Sequence, residues 1–148
     1  MVVNESAENY LETILILSKR LPVVRSVDIA NELGFKKSSV SIAMKNLREK
    51  EHITVTDAGF IYLTESGRAI AEMIYERHQL ISSWLISLGV DPTVATEDAC
   101  KMEHVISAES FEAIKKYVMH KKVTKSISKK RSLFPGPLFL YLFISQVE

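Results

Sequence analysis

The chain has 148 residues, 47% hydrophobic and 25% charged, with a formal net charge of +1. That balance suits one compact unit with a real core, or two small subdomains sharing one, and excludes disorder as the default. A lone cysteine excludes an internal disulfide and is usual for a reducing compartment. The opening M-V-V-N-E-S lacks the basic region and apolar run of a signal peptide, and no apolar stretch is long enough to span a bilayer as a helix. A cytoplasmic protein without membrane association is expected.

In chain order, Ser6 can cap a first helix running to about Lys19, with Leu11, Ile14 and Leu15 on its apolar stripe. Asn9 and Glu12 share another edge of that helix. Ser26 can cap a short second helix, V-D-I-A-N-E-L, which Gly34 stops as a left-handed residue. The serines of K-K-S-S open a third helix through about Lys50. The period then changes: I-T-V-T, D-A-G and F-I-Y-L-T read as two short strands around a turn. Helix, short helix, glycine turn, helix and hairpin in this order is the winged helix-turn-helix plan.

A long amphipathic helix follows from about Thr64 to Leu88, carrying Ile70, Ile74, Ile81 and Leu85, and Gly89 ends it. Asp91-Pro92 starts the next helix, with Asp as cap and Pro at the first helical position. Ser107 starts a last helix with Phe111, Ile114 and Val118 as apolar positions. Beyond His120 a basic run, K-K-V-T-K-S-I-S-K-K-R, gives way to apolar residues around two prolines. That segment is expected to be a poorly ordered tail whose apolar end docks on the body or on a partner subunit. The fold class is mainly α with a small β-hairpin. The expected division is a winged helix-turn-helix at 1–70, a helical domain at 71–120 and the tail at 121–148.

On the third helix Val40, Ala43, Met44 and Leu47 follow the inward pattern, leaving Ser38, Ser41, Ile42 and Lys45 on the opposite face. Between Lys36 and Lys50 stand five basic residues against one acid, a local excess that favours a phosphate-facing surface. Small hydroxyls near the helix start, Ser38, Ser39 and Ser41, can approach base edges or phosphates, and Ile42 can touch a thymine methyl. Lys36, Lys37 and Lys45 suit phosphates. Any one of these lysines alone reads as an ordinary solvated residue. The whole constellation, with a hairpin wing behind it, favours double-stranded DNA, while protein docking remains the other use of such a fold.

Cys100, Glu103 and His104 lie at i, i+3 and i+4, so a helix brings all three to one side. Thiolate, carboxylate and imidazole suit a transition metal such as Fe(II), Mn(II), Co(II) or Zn(II) better than Ca(II). Further ligands must come from elsewhere. His78, in register with Ile74, Ile81 and Leu85, is the natural candidate, and Glu12 and the amide oxygen of Asn9 can complete the shell. The pair Cys100 and His104 also permits a cysteine nucleophile, but no strained glycine turn or oxyanion hole accompanies it.

The segments A-E-N-Y-L-E-T-I, S-V-D-I-A-N-E-L, the wing, E-R-H-Q-L-I and E-D-A-C-K-M-E-H-V-I-S together resemble the diphtheria toxin repressor family of metal-dependent bacterial regulators, over residues 5 to 120. The resemblance implies a homodimer formed through the C-terminal helices, each subunit offering a winged helix to half of a pseudo-palindromic operator. It places Glu12, His78, Cys100, Glu103 and His104 on ligand positions, and Asn9 where manganese-type members carry aspartate and some iron-type members methionine. Cys100 matches the iron-type pattern. Ser82 and Thr96 stand where iron-type members have further ligands, so an altered or missing second site is expected. The resemblance implies a metal-activated repressor of iron or manganese uptake genes, with a regulator holding a purely structural metal as the alternative and an enzyme ranked last.

Overall fold

The computed structural model describes residues 4–133, and the side chains of residues 4–121. The elements are α1 (Glu5–Arg20), α2 (Ser26–Leu33), α3 (Lys37–Glu49), β1 (Ile53–Val55), β2 (Ile61–Leu63), α4 (Glu65–Ser87), α5 (Pro92–Val105) and α6 (Ala108–Leu133). Two compact units divide between Val105 and Ile106.

Helix α1 starts earlier than Ser6: Asn4 is its cap, its side-chain oxygen accepting from the Ala7 N–H at 2.9 Å. An asparagine two residues upstream thus takes the capping role expected of the serine. Ser26 is likewise the first helical residue of α2 and not its cap; the Asp28 carboxylate accepts instead from the Arg25 N–H at 2.8 Å. Gly34 closes α2 at φ 66°, the left-handed conformation that costs a residue without Cβ nothing.

Leu11, Ile14 and Leu15 of α1, Ile29 and Ala30 of α2, Val40, Met44 and Leu47 of α3, and Ile53 and Ile61 of the hairpin form one buried cluster with Ala71 of α4. The strands pair antiparallel, Thr54 opposite Tyr62. Val24 adds a short bridge to Ile61, whose N–H donates to the Val24 carbonyl at 2.8 Å. This ties the wing to the start of α2. The wing is also fixed to α4: the Thr64 N–H donates to the His52 carbonyl at 3.1 Å, and Ser66 Oγ lies 2.6 Å from Nδ1 of the buried His52. A Cβ at Gly67 would stand 1.9 Å from that same carbonyl oxygen, so only glycine permits the approach.

Helix α4 packs against both α1 and α5. Ile74 and Ile81 are fully buried, as the stripe predicts. Asp91 caps α5 by accepting from the Thr93 and Val94 N–H groups at 2.9 and 3.4 Å. Ser107 Oγ accepts from the Ser110 N–H at 3.1 Å at the start of α6. That helix does not stop near His120 but continues to Leu133. The basic run contains no glycine or proline before Pro135, and lysine and arginine are good helix formers. The expected apolar end of the tail lies outside the described residues. No helix among those described is long and apolar enough to cross a membrane.

Candidate metal centre and nucleic-acid surface

Three helices bring the first set of ligand atoms together. Glu12 comes from the buried face of α1, His78 from the middle of α4 and Glu103 from the last turn of α5; one ligand atom of each lies within 4.8 Å of the others. Glu103 is fully enclosed. Its Oε2 accepts from Nδ1 of His78 at 2.7 Å. Its backbone carbonyl, one of those left open at a helix end, accepts from Nη1 of Arg77 at 3.0 Å. His78 and Arg77 thus hold α5 against α4 from both the side chain and the main chain of one residue.

The cost of enclosing Glu12 appears in its protonation. Burial, and next the charge of Glu103, push the Glu12 carboxyl up to about 7, against the opposing effect of His78 and His104. The hydrogen bond to Glu103 raises His78, with burial opposing and the charges of Glu103 and Glu12 adding to the rise. Oε1 of Glu103 is buried with no hydrogen-bond partner. Two enclosed carboxylates, one oxygen without a donor and an imidazole are a donor set that a divalent cation fits, because its charge offsets the burial, and then the repulsion by Glu103, that raise Glu12.

His104 lies next to this set. Its Nε2 is 3.3 Å from Oε1 of Glu103, and its Nδ1 is 2.9 Å from Oε2 of Glu8. Cys100 and His104 fall outside the three-residue convergence. Cys100 is exposed, yet its thiol is raised by burial first and then by the charges of Glu103, Glu12 and Glu5, with Lys101 opposing. Its sulfur therefore feels the same acidic centre. Asn9 is half-buried on α1, and its carbonyl accepts from Thr13 Oγ1 at 2.8 Å. Ser82 Oγ and Thr96 Oγ1 stand 3.5 Å apart, and the Thr96 hydroxyl donates to the Pro92 carbonyl at 2.8 Å. Neutral hydroxyls in that position are poor ligands for a divalent ion.

Glu8 is the residue that sequence reasoning missed. A signal existed: Glu5, Glu8 and Glu12 recur at helical spacing on α1, and like charges at i and i+4 destabilise a helix unless something else uses them.

The third helix presents the face expected of it. Val40, Met44 and Leu47 are buried, while Lys36, Lys37, Ser38, Ser39, Ser41, Ile42 and Lys45 are exposed. Ile42 is 62% exposed, so its side chain is available on this face. Ser41 Oγ donates to the Lys37 carbonyl at 2.9 Å, which leaves its lone pairs outward. Lys45 Nζ is 3.9 Å from Glu49 Oε1, an exposed pair worth little by itself.

Comparison with known proteins gives the same picture. Residues 3–58 match the iron-dependent repressor N-terminal DNA-binding domain, and residues 64–130 its metal-binding and dimerisation domain. The chain is 33% identical over 111 residues to the transcriptional regulator MntR of Escherichia coli O157:H7, covering 75% of this chain and 72% of that one. It is 33% identical over 109 residues to the HTH-type transcriptional regulator MntR of Listeria monocytogenes serotype 4b (strain F2365), covering 74% and 77%. These relatives are transcriptional regulators and not enzymes. Among solved structures, the manganese regulator SloR aligns with a TM-score of 0.68 at 27% identity, covering 80% of this chain and 54% of that one. A manganese-dependent transcriptional repressor in complex with manganese aligns at 0.67 and 26% identity, covering 73% and 50%. The chain thus spans about half the length of these two solved structures. With a winged helix-turn-helix followed by helices that gather buried candidate metal ligands, the chain belongs to the iron-dependent, or diphtheria toxin repressor, family of metal-dependent transcriptional regulators.

Proposed function

We propose that the protein is a cytoplasmic, homodimeric repressor that binds a pseudo-palindromic operator when loaded with Mn(II) or Fe(II), and that it controls uptake genes for that metal. The observation that carries this reading is the convergence of Glu12, from the winged-helix part, with His78 and Glu103 from the helices behind it. A cation held there supplies positive charge between two buried carboxylates and joins α1 to α4 and α5. If it binds more tightly to the DNA-competent arrangement, it shifts the population by that difference in affinity. His104, Cys100 and Asn9 complete the ligand set in this reading, and Zn(II) or Co(II) are the other ions such a set can take. Manganese is favoured by the relatives named for it, and the thiol of Cys100 favours softer ions. Lys36, Lys37 and Lys45 hold phosphates, while Ser38, Ser39, Ser41 and Ile42 face the bases of the major groove.

Operator selection with purified protein, metal-free and loaded, tests the reading. Sequence-specific binding should rise on adding Mn(II) or Fe(II) and collapse on chelation. Equal affinity in both states would reject the switch and leave a regulator with a structural metal. The protein must be kept anaerobic and reduced, because an oxidised Cys100 imitates loss of function.

A further inference from the structure

Glu8 sits in the first turn of α1, where an acid is favourable for the helix dipole alone. That role needs no particular orientation, but Glu8 has one. Its side chain is 15% exposed, and Oε2 lies 2.9 Å from Nδ1 of His104, a residue 96 positions away whose side chain is 4% exposed. The other ring nitrogen, Nε2, faces Oε1 of Glu103 at 3.3 Å. That oxygen belongs to a fully enclosed side chain and has no hydrogen-bond partner.

The chemistry of the two ends differs. An ionised carboxylate only accepts, so Glu8 is a partner for a proton on Nδ1, and a neutral ring that keeps that proton carries its lone pair on Nε2. This lone pair is aimed at the lone pairs of Glu103 Oε1. Two acceptors facing one another repel, and a cation between them removes the repulsion. An imidazole whose far N–H is held by a carboxylate is also the arrangement that fixes tautomer, orientation and basicity of a ligating histidine.

We propose that Glu8 is a positioning residue: by accepting from Nδ1–H of His104 it turns Nε2 toward Glu103 Oε1 as a metal ligand. The proposal rests on the metal-binding reading above and adds to it the residue that sets the histidine. Glu8 is not a substitute ligand for the neutral Asn9 beside it, because its nearer oxygen is engaged by the ring.

The test combines ring-nitrogen NMR on the full chain with direct titration of Mn(II) and Co(II). The His104 signals are identified by their loss in His104→Gln. In the metal-free wild type, at a pH where the ring is neutral, His104 should be the Nδ1–H tautomer. In Glu8→Ala the proton should move to Nε2, where it can donate to Glu103, and the affinity for both ions should fall about 10- to 100-fold. Glu8→Gln keeps an acceptor oxygen of nearly the same reach, so it should retain the Nδ1–H tautomer and lose less affinity; it also serves if the alanine variant does not fold. An Nε2–H tautomer in the wild type, or an alanine variant that binds both ions as tightly as wild type, overturns the proposal. Loss of one whole bound ion in both the alanine and glutamine variants would make Glu8 a direct ligand and overturn it as well. A wild-type chain that takes up neither ion instead sinks the metal-binding reading on which it rests.

Discussion

Glu103 meets His78 through a 2.7 Å contact between Oε2 and Nδ1, in a place where the carboxylate is fully enclosed. Glu12 joins them within 4.8 Å, and its carboxyl is pushed up to about 7 by burial and by Glu103. The folded metal-free chain therefore holds a proton on Glu12 more tightly than the unfolded chain does. Glu12's contribution to stability is complete below the ordinary carboxyl value and is lost as pH rises through about 7. The raised His78 acts in the same direction, its contribution being lost as pH rises through its folded value. The Tm of metal-free protein should fall as pH is raised from about 5 to about 8. Glu12→Gln, isosteric with the protonated acid, should flatten that slope and raise Tm at the alkaline end. A glutamine variant as pH-sensitive as wild type would place the titration elsewhere. Because metal must displace these protons, Mn(II) affinity should rise over the same range and binding should release protons into weakly buffered solution.

Cys100 is exposed but electrostatically coupled to Glu103 and Glu12. As a ligand it should give Co(II)-loaded protein a thiolate charge-transfer band that Cys100→Ser abolishes. Cys100→Glu should shift activation toward Mn(II) and away from Fe(II), Co(II) or Zn(II), since carboxylate oxygen suits the harder ion. If the serine variant titrates every metal as wild type does and no band is seen, Cys100 is only a helix residue near the centre.

On α3, Lys45 is exposed and only loosely paired with Glu49. Lys45→Ala should weaken operator and random DNA alike and lower the salt slope by about one. Ser41→Ala and Ile42→Ala should mainly erode sequence preference, by about 1–3 kcal/mol where a base contact is lost. Unchanged affinity in all three metal-loaded variants would remove α3 from the role of reading element.

Gly67→Ala should destabilise the wing junction by about 2–4 kcal/mol, because the added methyl would meet the His52 carbonyl at 1.9 Å and neither backbone can yield cheaply. Urea unfolding followed by circular dichroism measures this. A variant as stable as wild type would mean that β1 and α4 slide apart at no cost.

The order of elements was legible because its signals are local: Gly34 at the end of α2, the strand period of the hairpin, Asp91-Pro92 before α5 and the apolar stripes of α3 and α4. Caps were legible only to within a turn, since Asn4 and Ser6 both satisfy the same requirement and sequence does not rank them. The continuation of α6 to Leu133 was missed by treating a composition change as a structural one. The gathering of Glu12, His78 and Glu103 was readable from helical spacing together with the family resemblance. The contact of Glu8 with His104 was not, because the two residues are joined only by packing of α1 and α5 on α4.

The single helix α4 has a mechanical consequence. Its first turn is clamped beneath the hairpin at Gly67, and its only glycine is that one, so nothing hinges it before His78. The two points are 11 residues apart on one rod, about 16 Å. A tilt of about 5° at the clamp carries the imidazole through about 1.4 Å, half the length of a hydrogen bond. The hairpin must turn with it. Whatever fixes the ring of His78 therefore fixes the angle of this rod beneath the wing.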